Sequence, residues 1–146
     1  PKIREQIKVN FYIVGSKVTD EIKALEQPGN GIIVKGFVSE EELADLYRNC
    51  RIVVVPLRYG AGVKGKVVEA IYNGAPIVTT SVGSEGIPDV EKVLLVKDQP
   101  DEIAETVIEL YNDEKRLEDL AEKTQVYIRE HFSIDAAWDV IKEDFE

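Results

Sequence analysis

The sequence predicts an α/β domain built on a doubly wound parallel sheet. Three observations carry that expectation. Short apolar runs rich in β-branched residues recur at 9–14, 31–34, 51–56, 75–80 and 93–96, and they are continuous rather than alternating, as strands buried on both faces are. Helical patterns separate consecutive runs, which is what a parallel crossover requires. Beyond Val96 the pattern turns wholly helical, so helices close the domain.

The elements follow in chain order. Residues 1–7 place Ile3 and Ile7 four apart, as on one helix face. A doubly wound domain ordinarily opens on a strand, so the natural domain is expected to start upstream of Pro1. The first visible strand, 9–14, runs into Gly15-Ser16-Lys17, and a short helix over 19–27 is stopped by Pro28-Gly29-Asn30-Gly31. After the strand at 31–34, Ser39-Glu40-Glu41-Glu42 reads as a capping box, the serine hydroxyl and Glu42 each serving the other's backbone N–H, with Leu43, Leu46 and Tyr47 as the apolar face. The strand at 51–56 leads into a glycine-rich segment, 59–66, before Val67-Val68-Glu69-Ala70-Ile71-Tyr72 resumes as helix. The strand at 75–80 leads to Ser81-Val82-Gly83-Ser84-Glu85-Gly86. Pro100 opens a helix with Ile103, Val107, Ile108 and Leu110 on one face; a second, near 113–131, uses Leu117, Leu120, Ala121, Thr124 and Ile128; a third starts at Ser133 with Trp138 and Ile141 as anchors. Strands and helices in this order form a Rossmann-like, three-layer domain.

With 146 residues, 44% of them hydrophobic, the chain can bury one core but hardly two, so 1–146 is expected to be a single domain. No stretch approaches the roughly 18 consecutive apolar residues of a membrane-spanning helix, and the first residues lack a signal-peptide core; a cytoplasmic location is expected. The single cysteine, Cys50, allows no disulfide within the chain. A formal charge of −10 argues against a broad nucleic-acid or anionic-membrane surface, since both need a basic face. The charge is uneven: Lys64 and Lys66 sit in the acid-free stretch 59–66, while the acids from Asp98 to Glu122 read as a solvated face.

In an open parallel sheet a ligand sits at the carboxyl ends of the strands, where glycines let backbone approach and helix starts offer N–H groups to phosphate. Three segments fit: Gly15-Ser16-Lys17, the run 59–66, and 81–86 with Ser84 and Glu85. They are expected to converge on one cleft. The middle segment combines Gly60, Gly62 and Gly65 with two lysines and a helix start, a combination suited to phosphate. It lacks the Gly-Lys-Ser/Thr ending of a P-loop and is no GxGxxG, so neither ATPase nor NAD chemistry is indicated. On a helical wheel Val67, Val68 and Ile71 point one way and Glu69 the other. A carboxylate there can accept hydrogen bonds from the vicinal hydroxyls of a ribose. The bland alternatives are a solvated Glu69 paired with Lys66, glycines serving only a turn, and Glu85 compensating a helix dipole. No catalytic triad or Cys/His metal spacing competes, and His131, near a helix end, is the single histidine. A signalling receiver-type domain needs acids after the first strand and an aspartate ending the third, where Gly15-Ser16 and Pro56-Leu57 stand.

The residues Gly36-Phe37-Val38-Ser39, Leu46-Tyr47, the run 53–70 and Gly74-Ala75-Pro76-Ile77-Val78-Thr79-Thr80 are together similar to the C-terminal, nucleotide-sugar-binding domain of family-4-type retaining glycosyltransferases, one half of a GT-B fold. The likeness runs through the chain in order and is most specific from Gly62 to Pro76. It implies transfer of a sugar from a UDP- or GDP-type donor to an acceptor hydroxyl with retention, with no prosthetic group or metal. The acceptor glycan or glycolipid would be held by an N-terminal domain outside this chain, through which the whole enzyme could dock peripherally on a membrane. By resemblance Glu69 holds the ribose, Gly60, Ala61, Gly62, Val63 and Lys64 lie along the pyrophosphate, and loop N–H groups with a lysine stabilise the departing diphosphate. Two departures stand out. The family usually has an Arg, near the start of the domain, and a Lys that clamp the phosphates, and neither has a clear match here unless Lys17 or Lys64 substitutes. The family commonly has two glutamates separated by seven residues, the first on the transferred sugar, and the position eight before Glu69 is Ala61. That keeps open a second class, a nucleotide- or nucleotide-sugar-binding module without turnover.

Overall fold

The computed structural model describes residues 1–132; the expected helix from Ser133, with Trp138 and Ile141, lies outside the described residues. The chain falls into two compact units, Pro1–Asn49 and Cys50–Glu146, each with its own parallel sheet. Parallel strands alternating with helices make this an α/β fold of the expected Rossmann-like kind. The strands form two sheets, however, where one was expected.

The first unit contains α1 (Lys2–Gln6), β1 (Phe11–Val14), α2 (Asp20–Lys23), a 3₁₀ turn at Pro28–Asn30, β2 (Ile32–Gly36) and α3 (Glu40–Asn49). β1 and β2 pair in parallel from Phe11↔Ile32, with a register shift between Ile13 and Val14. The Gly15 N–H extends the pairing, donating to the Gly36 carbonyl at 2.9 Å. α2 ends well before the expected 27 because Gln27 leaves the helix to pair with Ile32, donating to its carbonyl at 2.9 Å and accepting from its N–H at 3.0 Å. At the start of α3 the Ser39 hydroxyl accepts the Glu42 N–H at 3.2 Å. The Glu42 carboxylate turns to Lys35 at 2.7 Å, and that hydrogen-bonded partner raises the Lys35 pKa. The expectation of strands covered on both faces fails in this unit, where Phe11 and Tyr12 are 46% and 43% exposed. Two strands and short helices supply too little apolar surface to cover a sheet.

The second unit contains β3 (Val53–Val55), α4 (Gly65–Tyr72), β4 (Ile77–Thr79), α5 (Ser81–Ser84), a 3₁₀ turn at Val90–Lys92, β5 (Leu94–Val96), α6 (Pro100–Tyr111) and α7 (Glu114–His131). Its sheet runs β3-β4-β5, all parallel, with Ile77 opposite both Val53 and Leu94. Here the expectation holds for the central strand, β4, all three of whose residues are buried, while β3 and β5 bury only Val55 and Leu94 and leave their other residues half-buried. Around it pack Val67, Ala70 and Ile71 of α4, Val107 and Leu110 of α6, and Leu117, Leu120 and Tyr127 of α7. Pro100 takes the first position of α6, with Glu102 accepting the Gln99 N–H at 3.4 Å. The Asp113 carboxylate caps α7 through the Arg116 N–H at 3.0 Å. No helix among the described residues is long and apolar enough to cross a membrane.

Candidate functional site

The carboxyl ends of β3 and β4 build the site. After β3 the chain runs from Pro56 to Lys64 before α4 begins at Gly65. Gly60 and Gly62 take φ values of 129° and 73°, a region closed to most L side chains, so the path of this loop depends on glycine. Tyr59 and Val63 are exposed. Lys64 folds back over the loop: its Nζ donates to the Gly62 carbonyl and lies 3.6 Å from the Glu85 carboxylate, with 12% of the side chain exposed. Its stem covers Gly60, where an added Cβ would stand 2.8 Å from Lys64 Cε. Lys64 also precedes α4 without capping it through its side chain, and the first-turn N–H groups of a helix have no partner within it.

The end of β4 reaches across to this loop through two hydroxyls. Thr79 Oγ1 donates to the Val55 carbonyl at 2.8 Å, and Thr80 Oγ1 donates to the Leu57 carbonyl at 2.6 Å. Thr80 Oγ1 also accepts the Gly83 N–H at 3.1 Å, which caps α5. Gly83 packs so closely that an added Cβ would stand 2.0 Å from Thr79 Oγ1. Asp98, just beyond β5, accepts from the Ser81 N–H at 2.8 Å and from its hydroxyl at 2.9 Å. These bonds, the backbone one foremost, hold the Asp98 carboxyl below the usual 3.8. Further along, a Cβ on Gly86 would stand 2.9 Å from Val63 Cγ2, so the segment after β4 touches the loop after β3.

The structure therefore brings together Gly60, Ala61, Gly62, Val63 and Lys64 with Ser84 and Glu85. Glu69 lies exposed on α4, away from its buried Val67, Ala70 and Ile71, as the helical wheel requires; Ala70 joins the buried face. Gly15 and Ser16 form the turn after β1 in the first unit. The segment 81–86 contains a helical turn, α5, capped by Thr80, and Glu85 stands at its C-terminal end rather than its start. Asp98 is exposed, as a solvated acid is, and in addition holds Ser81. Thr79 and Thr80 escaped notice as ordinary β-branched strand residues. The available signal was Thr80 ahead of Ser81-Val82-Gly83, a hydroxyl three residues before a backbone N–H.

The stretch 58–68 carries Arg58, Lys64 and Lys66 and no acid, which favours an anion at the glycine loop, with Glu85 of the neighbouring segment beside Lys64. A concavity of about 320 Å³ lies elsewhere, between β5, α6 and α7, and its wall carries Glu91 and Glu109 together with Lys97 and Arg116, so it has no net positive charge to favour a diphosphate. Among the described residues no group of three or more His, Cys, Asp or Glu side chains is gathered as a metal site.

Parallel strands ending in two touching glycine-bearing segments place the chain in the Rossmann-like α/β class, whose strand ends are where such folds bind ligands. Within that class the family is specific: residues 1–113 match the family described as glycosyl transferases group 1, and the chain belongs to it. A protein of Klebsiella pneumoniae, described as an uncharacterized 44.6 kDa protein in the cps region, is 35% identical over 89 residues, covering 58% of this chain and 23% of that protein. An uncharacterized glycosyltransferase of Methanocaldococcus jannaschii is 30% identical over 124 residues, covering 81% of this chain and 35% of that protein. The chain thus spans well under half the length of these relatives.

Proposed function

We propose that this chain is the donor-binding domain of a retaining glycosyltransferase, with a UDP- or GDP-type sugar as donor. The observation that supports this reading best is the contact of the 60–64 loop with the 84–86 segment, with Lys64 at their junction and α4 starting beside it. Diphosphate oxygens would accept N–H groups of the loop and of the first turn of α4. The Lys64 ammonium, held by the Gly62 carbonyl and Glu85, would turn to the phosphates. Glu69 would accept from the ribose hydroxyls. As the donor C1–O bond breaks, its electron pair goes to the diphosphate, and the fixed donors stabilise that charge; the acceptor oxygen bonds C1 on the same face and gives its proton to the departing diphosphate oxygen. The acceptor, a glycan or glycolipid hydroxyl, would be held by a part of the enzyme outside this chain, which works in glycan assembly on the cytoplasmic side.

Ala61, where the family commonly has a sugar-contacting glutamate, favours a second reading: a nucleotide-sugar-binding module without turnover. Full-length protein incubated with UDP- and GDP-sugars separates the two. Transfer or slow donor hydrolysis, with a product of retained anomeric configuration by NMR and loss in Lys64→Ala, supports the first. Diphosphate binding with no consumption of any donor establishes the second.

A further inference from the structure

The Thr80 hydroxyl sits at the crossing of the two segments that form the site, and it uses both of its hydrogen-bonding capacities there. Its proton goes to the Leu57 carbonyl at the head of the glycine loop, and its lone pair takes the Gly83 N–H inside α5. Thr80 opens the second segment itself, so its bond to Leu57 ties that segment to the head of the loop, and the cap bond from Gly83, three residues on, fixes the direction in which the hydroxyl points. Thr80 is buried, so water cannot readily take over either bond. Its neighbour Thr79 turns its hydroxyl to the Val55 carbonyl, at the end of β3, and so anchors strand to strand. On the far side Asp98 holds Ser81 by backbone and side chain, which leaves α5 pinned at its start from two directions.

Downstream of these contacts the two segments meet again, at Lys64–Glu85 and Val63–Gly86. The first of those is an ion pair with an exposed acid, the sort worth little. Neither can set the spacing alone, because the loop between Leu57 and Val63 passes through glycines. We propose that Thr80 is a positioning residue: without touching ligand, its hydroxyl sets the separation of the 60–64 loop from the 84–86 segment and thereby the fit of the diphosphate. This rests on the donor-binding reading given above.

The test compares wild type, Thr80→Val and Thr80→Ser for calorimetric binding of UDP and GDP, together with hydrogen exchange of peptides spanning 57–64. Valine keeps the shape and removes both bonds; serine keeps both. The expected result is faster exchange of 57–64 and about tenfold weaker nucleotide binding in Thr80→Val, a loss of about 1.4 kcal/mol, both restored in Thr80→Ser, while the protein remains folded at the assay temperature. Unchanged exchange and affinity in Thr80→Val overturns the proposal. So does a Thr80→Val protein that is unfolded under assay conditions, because the hydroxyl would then support the whole unit rather than the loop. If wild type itself binds neither nucleotide, the donor-binding reading fails separately, and the exchange comparison still decides the role of Thr80.

Discussion

Asp98 shows how much a single carboxylate near the site can do from a solvent-exposed position. Two donors from Ser81 stabilise its charged form, which depresses its pKa in the folded state. A depressed folded pKa adds stability above the unfolded value, and that stability is lost as pH falls through the folded pKa. We therefore expect Asp98→Asn to melt below wild type at pH 7 and the gap to narrow as the pH is lowered below the usual carboxylate range; a gap that stays constant with pH would contradict this. Gly83 is the second residue-scale case. A methyl at this position would collide with Thr79 Oγ1 at 2.0 Å, so Gly83→Ala should cost roughly 1–3 kcal/mol in urea unfolding, the range for overpacking a close contact. Neither residue drew attention in the sequence, Asp98 because it opens an acidic run and Gly83 because its demand is for space rather than for a left-handed backbone. Glu69 was legible for the opposite reason: helical spacing alone sets it apart from Val67 and Ile71.

At the scale of elements, the last turn of α7 closes over the chain beyond the 84–86 segment. Tyr127 is buried and donates its hydroxyl to the Pro88 carbonyl at 2.6 Å, while the His131 ring stacks on it at 4.0 Å. His131 Nε2 lies 3.7 Å from Asp89, a residue held at φ 51°. Tyr127→Phe should cost about 1 kcal/mol in denaturant unfolding, the net worth of one hydrogen bond, and should speed hydrogen exchange around 88–92; no change in either would show that α7 does not restrain this turn. The helices were the more legible elements. Pro100 marked the start of α6, and Val107, Leu110, Leu117, Leu120 and Thr124 are buried as their spacing required; Ile103, Ile108, Ala121 and Ile128 are only half-buried, while Ala104, Thr106 and Tyr127 join the buried faces unannounced by the apolar period. Strand identity was legible too, but strand burial was not. Phe11-Tyr12-Ile13-Val14 and Ile77-Val78-Thr79 both read as apolar strands, yet β1 is half exposed and β4 is buried throughout, because burial depends on what packs against a strand and not on its own composition. The short α2 had no such guide, since the Gln27–Ile32 pairing that ends it involves residues of no special type.

For the whole molecule, the acidic total hides a local reversal of sign, and this reversal lies where two strand ends meet. The parallel α/β class followed from alternation alone. The division into two sheets did not, because strand order is set by long-range pairing that no local pattern encodes. Membership of the group 1 glycosyl transferases fits the glycine loop, the helix start and Glu69, and the account rests on these three acting together on a nucleoside diphosphate. Calorimetry of UDP, GDP and ADP against this chain and its Glu69→Ala form tests that most directly. The account predicts binding of at least one diphosphate by the wild type, at millimolar concentration or below, and a clear loss of affinity in Glu69→Ala. Absence of binding by all three nucleotides, or equal binding by the variant, would contradict it.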